Sequence, residues 1–117
     1  MINNCNAVIN RAVEVKGDGS DPKVIERLVA EARCLRAFYY SVLVTHYGNI
    51  TLNLEEAKGI NTRPQRNSIE EIYAQIVEDL KFAAEKLEVT PYEDNYARCT
   101  KKISFRSVGA CICTRCR

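Results

Sequence analysis

The chain has 117 residues, 46% of them hydrophobic and 27% charged, with five Gly and three Pro. Such a length holds one small domain or a piece of a larger one, and the composition excludes wholesale disorder and collagen-like or linker sequence. No run approaches the ~18 unbroken apolar residues of a membrane span, and the start lacks the basic-then-apolar order of a secretory leader.

Charge is divided unevenly. Residues 1 to 98 carry 12 basic and 15 acidic side chains, a net of −3, whereas residues 99 to 117 carry five basic side chains and no acid. A mildly acidic body offers no general attraction to phosphate backbones, so no nucleic-acid partner is expected. The last 19 residues also hold four of the six cysteines and form a tail of different composition.

The body predicts three helices. In the first, Ile2 to Val15, the residues Ile2, Cys5, Ile9 and Ala12 recur at spacings of three and four and share one face, which Val8 and Val13 widen. Lys16-Gly17-Asp18-Gly19-Ser20 then breaks the pattern, because paired glycines and small polar residues favour a turn.

The second helix starts at Asp21-Pro22. An Asp there can accept from free first-turn amides, and Pro at the first helical position gives up no needed donor. Ile25, Leu28, Ala32, Leu35, Tyr39, Val42 and His46 then alternate at three and four, with Val24, Val29, Phe38 and Leu43 thickening the seam. Tyr47-Gly48 ends it, since glycine reaches a left-handed backbone without steric cost.

Between residues 48 and 67, Ile50, Leu52 and Leu54 alternate with polar residues, compatible with a short extended stretch. The third helix opens at Ser68-Ile69-Glu70-Glu71, the pattern of a capping box. Its expected buried stripe is Ile69, Ile72, Tyr73, Ile76, Leu80, Ala83 and Leu87, with Glu78, Asp79, Lys81 and Lys86 outside it. Pro91 stops any continuation. The fold class expected is therefore all-α: an antiparallel pair of long helices plus a shorter N-terminal one, followed by an irregular C-terminal tail. Each long helix needs the other, and their joint apolar surface exceeds what the pair can cover.

Few constellations carry chemistry. Arg33 and Arg36 beside Phe38, Tyr39 and Tyr40 could form a stacking platform for sugars or bases. Helical spacing favours a plainer reading: Phe38 and Tyr39 in the core, the arginines paired with Glu70, Glu71, Glu78 or Asp79. The single histidine, His46, has no nucleophile near it in sequence, so a place at the helix C-terminus suits it better than general-base work. Glu55-Glu56 and Glu70-Glu71 are neighbours whose side chains diverge by ~100° along a helix, which does not make a catalytic dyad. Cys99, Cys111, Cys113 and Cys116 could hold zinc, but only Cys113 and Cys116 have the spacing of a zinc knuckle, so no metal site is assigned. Cys5 and Cys34 read as small core residues. No catalytic residue is assigned, and no ligand-binding residue is identified.

Several segments resemble one family. Ala30-Glu31-Ala32-Arg33-Cys34-Leu35-Arg36-Ala37-Phe38-Tyr39-Tyr40 is similar to the "AEARFLRAxYY" helix of the SusD/RagB proteins. Leu43 to Leu52 resembles their "LVRLYGDVPL" segment, Ser68 to Leu80 their "SVEEIYAQIIEDL", and Arg98-Cys99-Thr100-Lys101 their "GRATK". The similarity spans about residues 2 to 101, in order. It implies a tetratricopeptide-like helical scaffold within a lipid-anchored outer-membrane protein, one that binds oligosaccharide or another nutrient and works with a TonB-dependent transporter, without catalysis or cofactor. Residues 1–101 are thus expected to be a partial SusD-like helical region lacking signal peptide and lipobox, and 102–117 a Cys-rich basic tail foreign to the family. The alternatives are a stand-alone helical interaction module and a small zinc-binding module built on the tail.

Overall fold

The computed structural model describes residues 1–15, 21–59, 64–87, 99 and 106. Among them are three helices, α1 (Ile2–Val15), α2 (Pro22–Tyr47) and α3 (Ile69–Lys86), and no strand. The possible extended stretch at Ile50–Leu54 is irregular backbone. The expected turn at residues 16–20, the stop at Pro91 and the cysteines at 111, 113 and 116 fall outside the described residues.

Local chemistry sets the helix ends. Pro22 occupies the first turn of α2, but the Asp21 carboxylate makes no capping bond; its backbone carbonyl accepts from Val24 and Ile25 at 3.0 and 3.3 Å instead. At the other end Gly48 takes φ +70° while its amide donates to the Val44 carbonyl at 3.0 Å. A side chain at that φ is strained whatever the space around it, so glycine is the residue that fits. α3 begins with the expected box: the Glu71 amide donates to Ser68 Oγ and the Ser68 amide to Glu71 Oε2. Two first-turn donors are thereby satisfied.

α2 and α3 pack antiparallel. Arg36 near the middle of one meets Asp79 near the middle of the other, and Glu26 at the start of α2 pairs with Lys86 at the end of α3 at 3.1 Å. Their seam is Ala30, Cys34, Ala37, Tyr40 and Val44 against Ile72, Ile76, Leu80, Ala83 and Leu87, all buried. Small residues on α2 admit the larger side chains of α3, which is how two helices reach close interaxial spacing. α1 lies against a second face of α2, where Cys5, Asn6, Ile25, Ala32 and Arg36 are buried.

This arrangement corrects the stripe read from the sequence. Ile25 and Ala32 are buried as expected, but Leu28, Leu35 and Val42 are each more than 40% exposed and His46 is on the surface. α2 is flanked on two sides, so its small residues face α3 while part of the large-residue alternation faces outward. Ile69 is likewise exposed, and Asp79, placed outside the α3 stripe by its charge, is 0% exposed. Burial followed the partner available, not the size of the side chain.

Candidate functional site

Asp79 is buried because Arg36 meets it. The guanidinium donates from Nε to Oδ2 at 2.8 Å and from Nη2 to Oδ1 at 2.7 Å, a two-point fit of planar groups. Oδ1 also accepts from Gln75 Nε2 at 3.3 Å, and Arg33 approaches it to 3.9 Å. The third side of Arg36 reaches α1, with Nη1 donating to Asn6 Oδ1 at 3.0 Å. One buried cation thus joins all three helices.

Asn6 carries the network onward to the α2–α3 connection. Its Nδ2 donates to the carbonyls of Asn53 and Glu55 at 2.9 and 3.1 Å. The Tyr40 hydroxyl donates to the same Asn53 carbonyl at 2.8 Å and accepts from the Asn53 amide at 2.9 Å. Burial raises the Tyr40 phenol above its ordinary value, with the hydrogen bond to Asn53 pulling partly the other way. Further fastenings run from the Ala57 amide to Asn3 Oδ1 at 2.8 Å and from Arg11 to Glu56 at 2.7 Å. Asn67 closes the far end, donating its amide to the Ile50 carbonyl and accepting from the Leu52 amide, both at 3.0 Å.

Two hollows adjoin this loop. One of about 570 Å³ is bounded by residues 52–59, and one of about 180 Å³ lies beneath it between Ile2, Asn6, Tyr40 and Leu43. On the other flank, two shallow apolar hollows of about 360 and 300 Å³ share Val8 and Leu28. Arg36, Asp79 and Asn6 are engaged with one another and with the loop carbonyls, so they position the loop, whereas the buried Nε of the neighbouring Arg33 has no hydrogen-bond partner. Among the described residues no group of three or more His, Cys, Asp or Glu side chains could hold a metal ion.

The residues singled out from the sequence are scattered. Arg33 stacks over the Phe82 ring, 4.2 Å from its centroid. Of the aromatic run, Tyr40 is the core residue, while Phe38 is 54% exposed and meets Tyr39 edge-on at 5.8 Å, which corrects the expectation that Phe38 and Tyr39 are core. His46 Nδ1 lies 2.8 Å from the Val42 carbonyl at the exposed end of α2. Glu70 and Glu71 serve the α3 start, and Glu56 pairs with Arg11. Cys5 and Cys34 are buried, as expected. Asn6, Asn53 and Asn67 were not anticipated. Asn6 did leave a trace, because it stands four residues after Ile2 and three before Ile9, in register with the apolar stripe of α1.

The whole chain can now be set beside known proteins. The SusD-like family described as "Starch-binding associating with outer membrane" matches residues 1–108. The chain belongs to the SusD-like family. This SusD-like chain is similar to a SusD-like protein from Bacteroides fragilis NCTC 9343, with 27% identity and TM-score 0.83 over 94% of this chain and 21% of that one. Surface glycan-binding protein A from Bacteroides fluxus shares 25% identity at TM-score 0.86, covering 97% of this chain and 24% of its own. A SusD homolog from Bacteroides thetaiotaomicron VPI-5482 gives 25% identity and TM-score 0.87 over 97% and 23%. The chain therefore spans between a fifth and a quarter of the length of these structures. Among curated proteins, none matches its sequence. The family is associated with the outer membrane, and among the described residues no helix is long and apolar enough to cross a membrane.

Proposed function

We propose that this chain forms the helical scaffold of an outer-membrane, lipid-anchored SusD-like protein that binds a glycan or other nutrient and hands it to a TonB-dependent transporter. The observation that carries this reading is the one-sided surface of the helices. α2 is closed against α3 by a dense seam, yet Val8, Leu28 and Leu35 stand exposed around apolar hollows on the opposite flank. A scaffold that continues into further helices has this character, and a tetratricopeptide-like stacking would cover the flank. The Arg36–Asp79 pair is engaged within the helix seam, and the family description is one of starch binding, which together favour a role in binding and support. The glycan-binding protein from Bacteroides fluxus, similar over 97% of this chain, supports the ligand class. Residues 102–117 we set apart as a tail of foreign composition, although the family match runs to residue 108.

The test is to express the full reading frame containing this segment with an affinity tag and purify it from solubilised outer membranes. Co-purification of a TonB-dependent transporter and calorimetric binding of an oligosaccharide by that protein are expected, with no binding by the 117-residue chain alone. A full-length product that purifies without a transporter and ignores a broad oligosaccharide panel overturns the proposal and favours a separate interaction module.

A further inference from the structure

We propose that Cys34 and Cys99 form a redox-dependent crosslink that fastens residue 99 to the middle of α2. Cys34 sits in the α2–α3 seam, 3% exposed, between Ala30 and Ala37. Cys99, 65 positions further along the chain, packs against that same buried cluster and remains partly open to solvent. Cys34 is the strongest influence on the Cys99 thiol, and each is still a free cysteine. Two thiols that share one packed cluster need a far smaller displacement to reach disulfide geometry than two cysteines on unrelated surfaces would.

The chemistry requires an external oxidant, and a small-molecule disulfide such as oxidised glutathione suffices. Cys99, the more accessible thiol, loses its proton and its sulfur attacks one sulfur of the oxidant. A mixed disulfide forms and one thiolate leaves. Cys34 then loses its proton and attacks the Cys99 sulfur, expelling the second small thiolate. The protein gives up two electrons and two protons; the oxidant becomes two thiols. The bond would close a loop that includes about the second half of α2 and all of α3, and so would restrict the unfolded chain where the folded helices already meet.

The surroundings make the reaction slow at neutral pH. The hydrogen bond with Cys34, burial, and the nearby Glu31 and Cys5 all raise the Cys99 thiol above its ordinary value of 9.0. Little thiolate is present near pH 7, and crosslinking should accelerate as the solution becomes more alkaline.

The experiment uses the full chain. Protein is equilibrated in a reduced and oxidised glutathione buffer at pH 8, quenched with N-ethylmaleimide, digested and mapped by mass spectrometry. The expected product is a peptide pair joined at Cys34 and Cys99, two hydrogens lighter than the dithiol and absent after reduction. Oxidised protein should melt about 10 °C higher than reduced protein, and Cys99→Ser should abolish that difference without emptying the core, because its side chain is only half-buried. Recovery of both residues as maleimide adducts after full equilibration overturns the proposal. So does a crosslink from Cys99 to Cys5, or to a cysteine at 111, 113 or 116. Mapping the unmodified chain decides the matter even where Cys34→Ser fails to fold.

Discussion

Arg36 presents two guanidinium nitrogens to the two carboxylate oxygens of Asp79 at 2.8 and 2.7 Å, with the side chains only 5% and 1% exposed. A pair so placed has lost its water, and each charge depends on the other for compensation. Removing Arg36 leaves the Asp79 carboxylate only the looser Arg33, 3.9 Å away, and breaking a buried pair costs about 3–5 kcal/mol. Arg36→Ala should therefore shift the urea midpoint strongly downward and also loosen α1, since Asn6 loses its donor. Replacing both partners by apolar residues, as in Arg36→Met with Asp79→Leu, should cost clearly less than Arg36→Ala alone. An equal or larger loss in the double variant would mean that the charges stabilise beyond their mutual rescue.

Tyr40 tests the loop separately from the core. Tyr40→Phe keeps the ring in the seam but removes the oxygen that bridges the Asn53 amide and carbonyl. A loss of about 1–3 kcal/mol is expected for the groups left unpaired. Amide hydrogen exchange should accelerate at Asn53 and Leu52 while Ile76 and Leu80 in α3 change little. Uniform acceleration across α3 would place the hydroxyl in the global core instead.

Alkaline pH should weaken the fold. Burial raises the Tyr40 phenol above 10.0 and the Cys5 thiol above 9.0, the latter opposed in part by the N-terminus and Arg36. For these acids the neutral form is favoured in the folded state, so their contribution is complete below the unfolded values and disappears as pH rises through the folded ones. Stability measured by urea titration should decline from about pH 9 upward. Tyr40→Phe should flatten that decline, and an unchanged slope would exclude Tyr40 as its source.

The helix ends offer two small, independent effects. At Gly48 a Cβ would meet nothing within 4 Å, so Gly48→Ala isolates the cost of φ +70° from any clash. That cost is expected at about 1–3 kcal/mol. Ser68→Ala removes half of the capping box and should cost about 1 kcal/mol. The two sites lie in separate elements, so thermal denaturation of the double variant should show nearly additive losses.

Those helix ends were also the most legible part of the sequence. Gly48, Ser68 and Glu71 act through bonds to residues three or four positions away and Pro22 through its fixed φ, and such chemistry can be read from a short window. The facing of α2 could not be. A helix flanked on two sides carries apolar residues around much of its circumference, and periodicity then leaves its rotation undetermined. The three-four spacing puts Leu28 and Leu35 inward, whereas Ala30, Cys34 and Ala37 line the seam. Asp79 was half-legible: it was one of four carboxylates expected to answer the arginines, but its charge argued for the surface. The bridge from Asn6 to Asn53 joins residues 47 positions apart, and no local pattern announces a contact that only the packed helices create.

The loop after α2 has unequal freedom along its length. Among its described residues the anchors are Ile50, Leu52, Asn53, Glu55, Ala57 and Asn67, whereas Lys58 and Gly59 are exposed with open space at the glycine. A peptide epitope or fluorophore-accepting tag grafted directly after Gly59 would therefore hang from moorings that do not depend on it. The graft would give a reporter carried by the three-helix frame without loosening its fastenings.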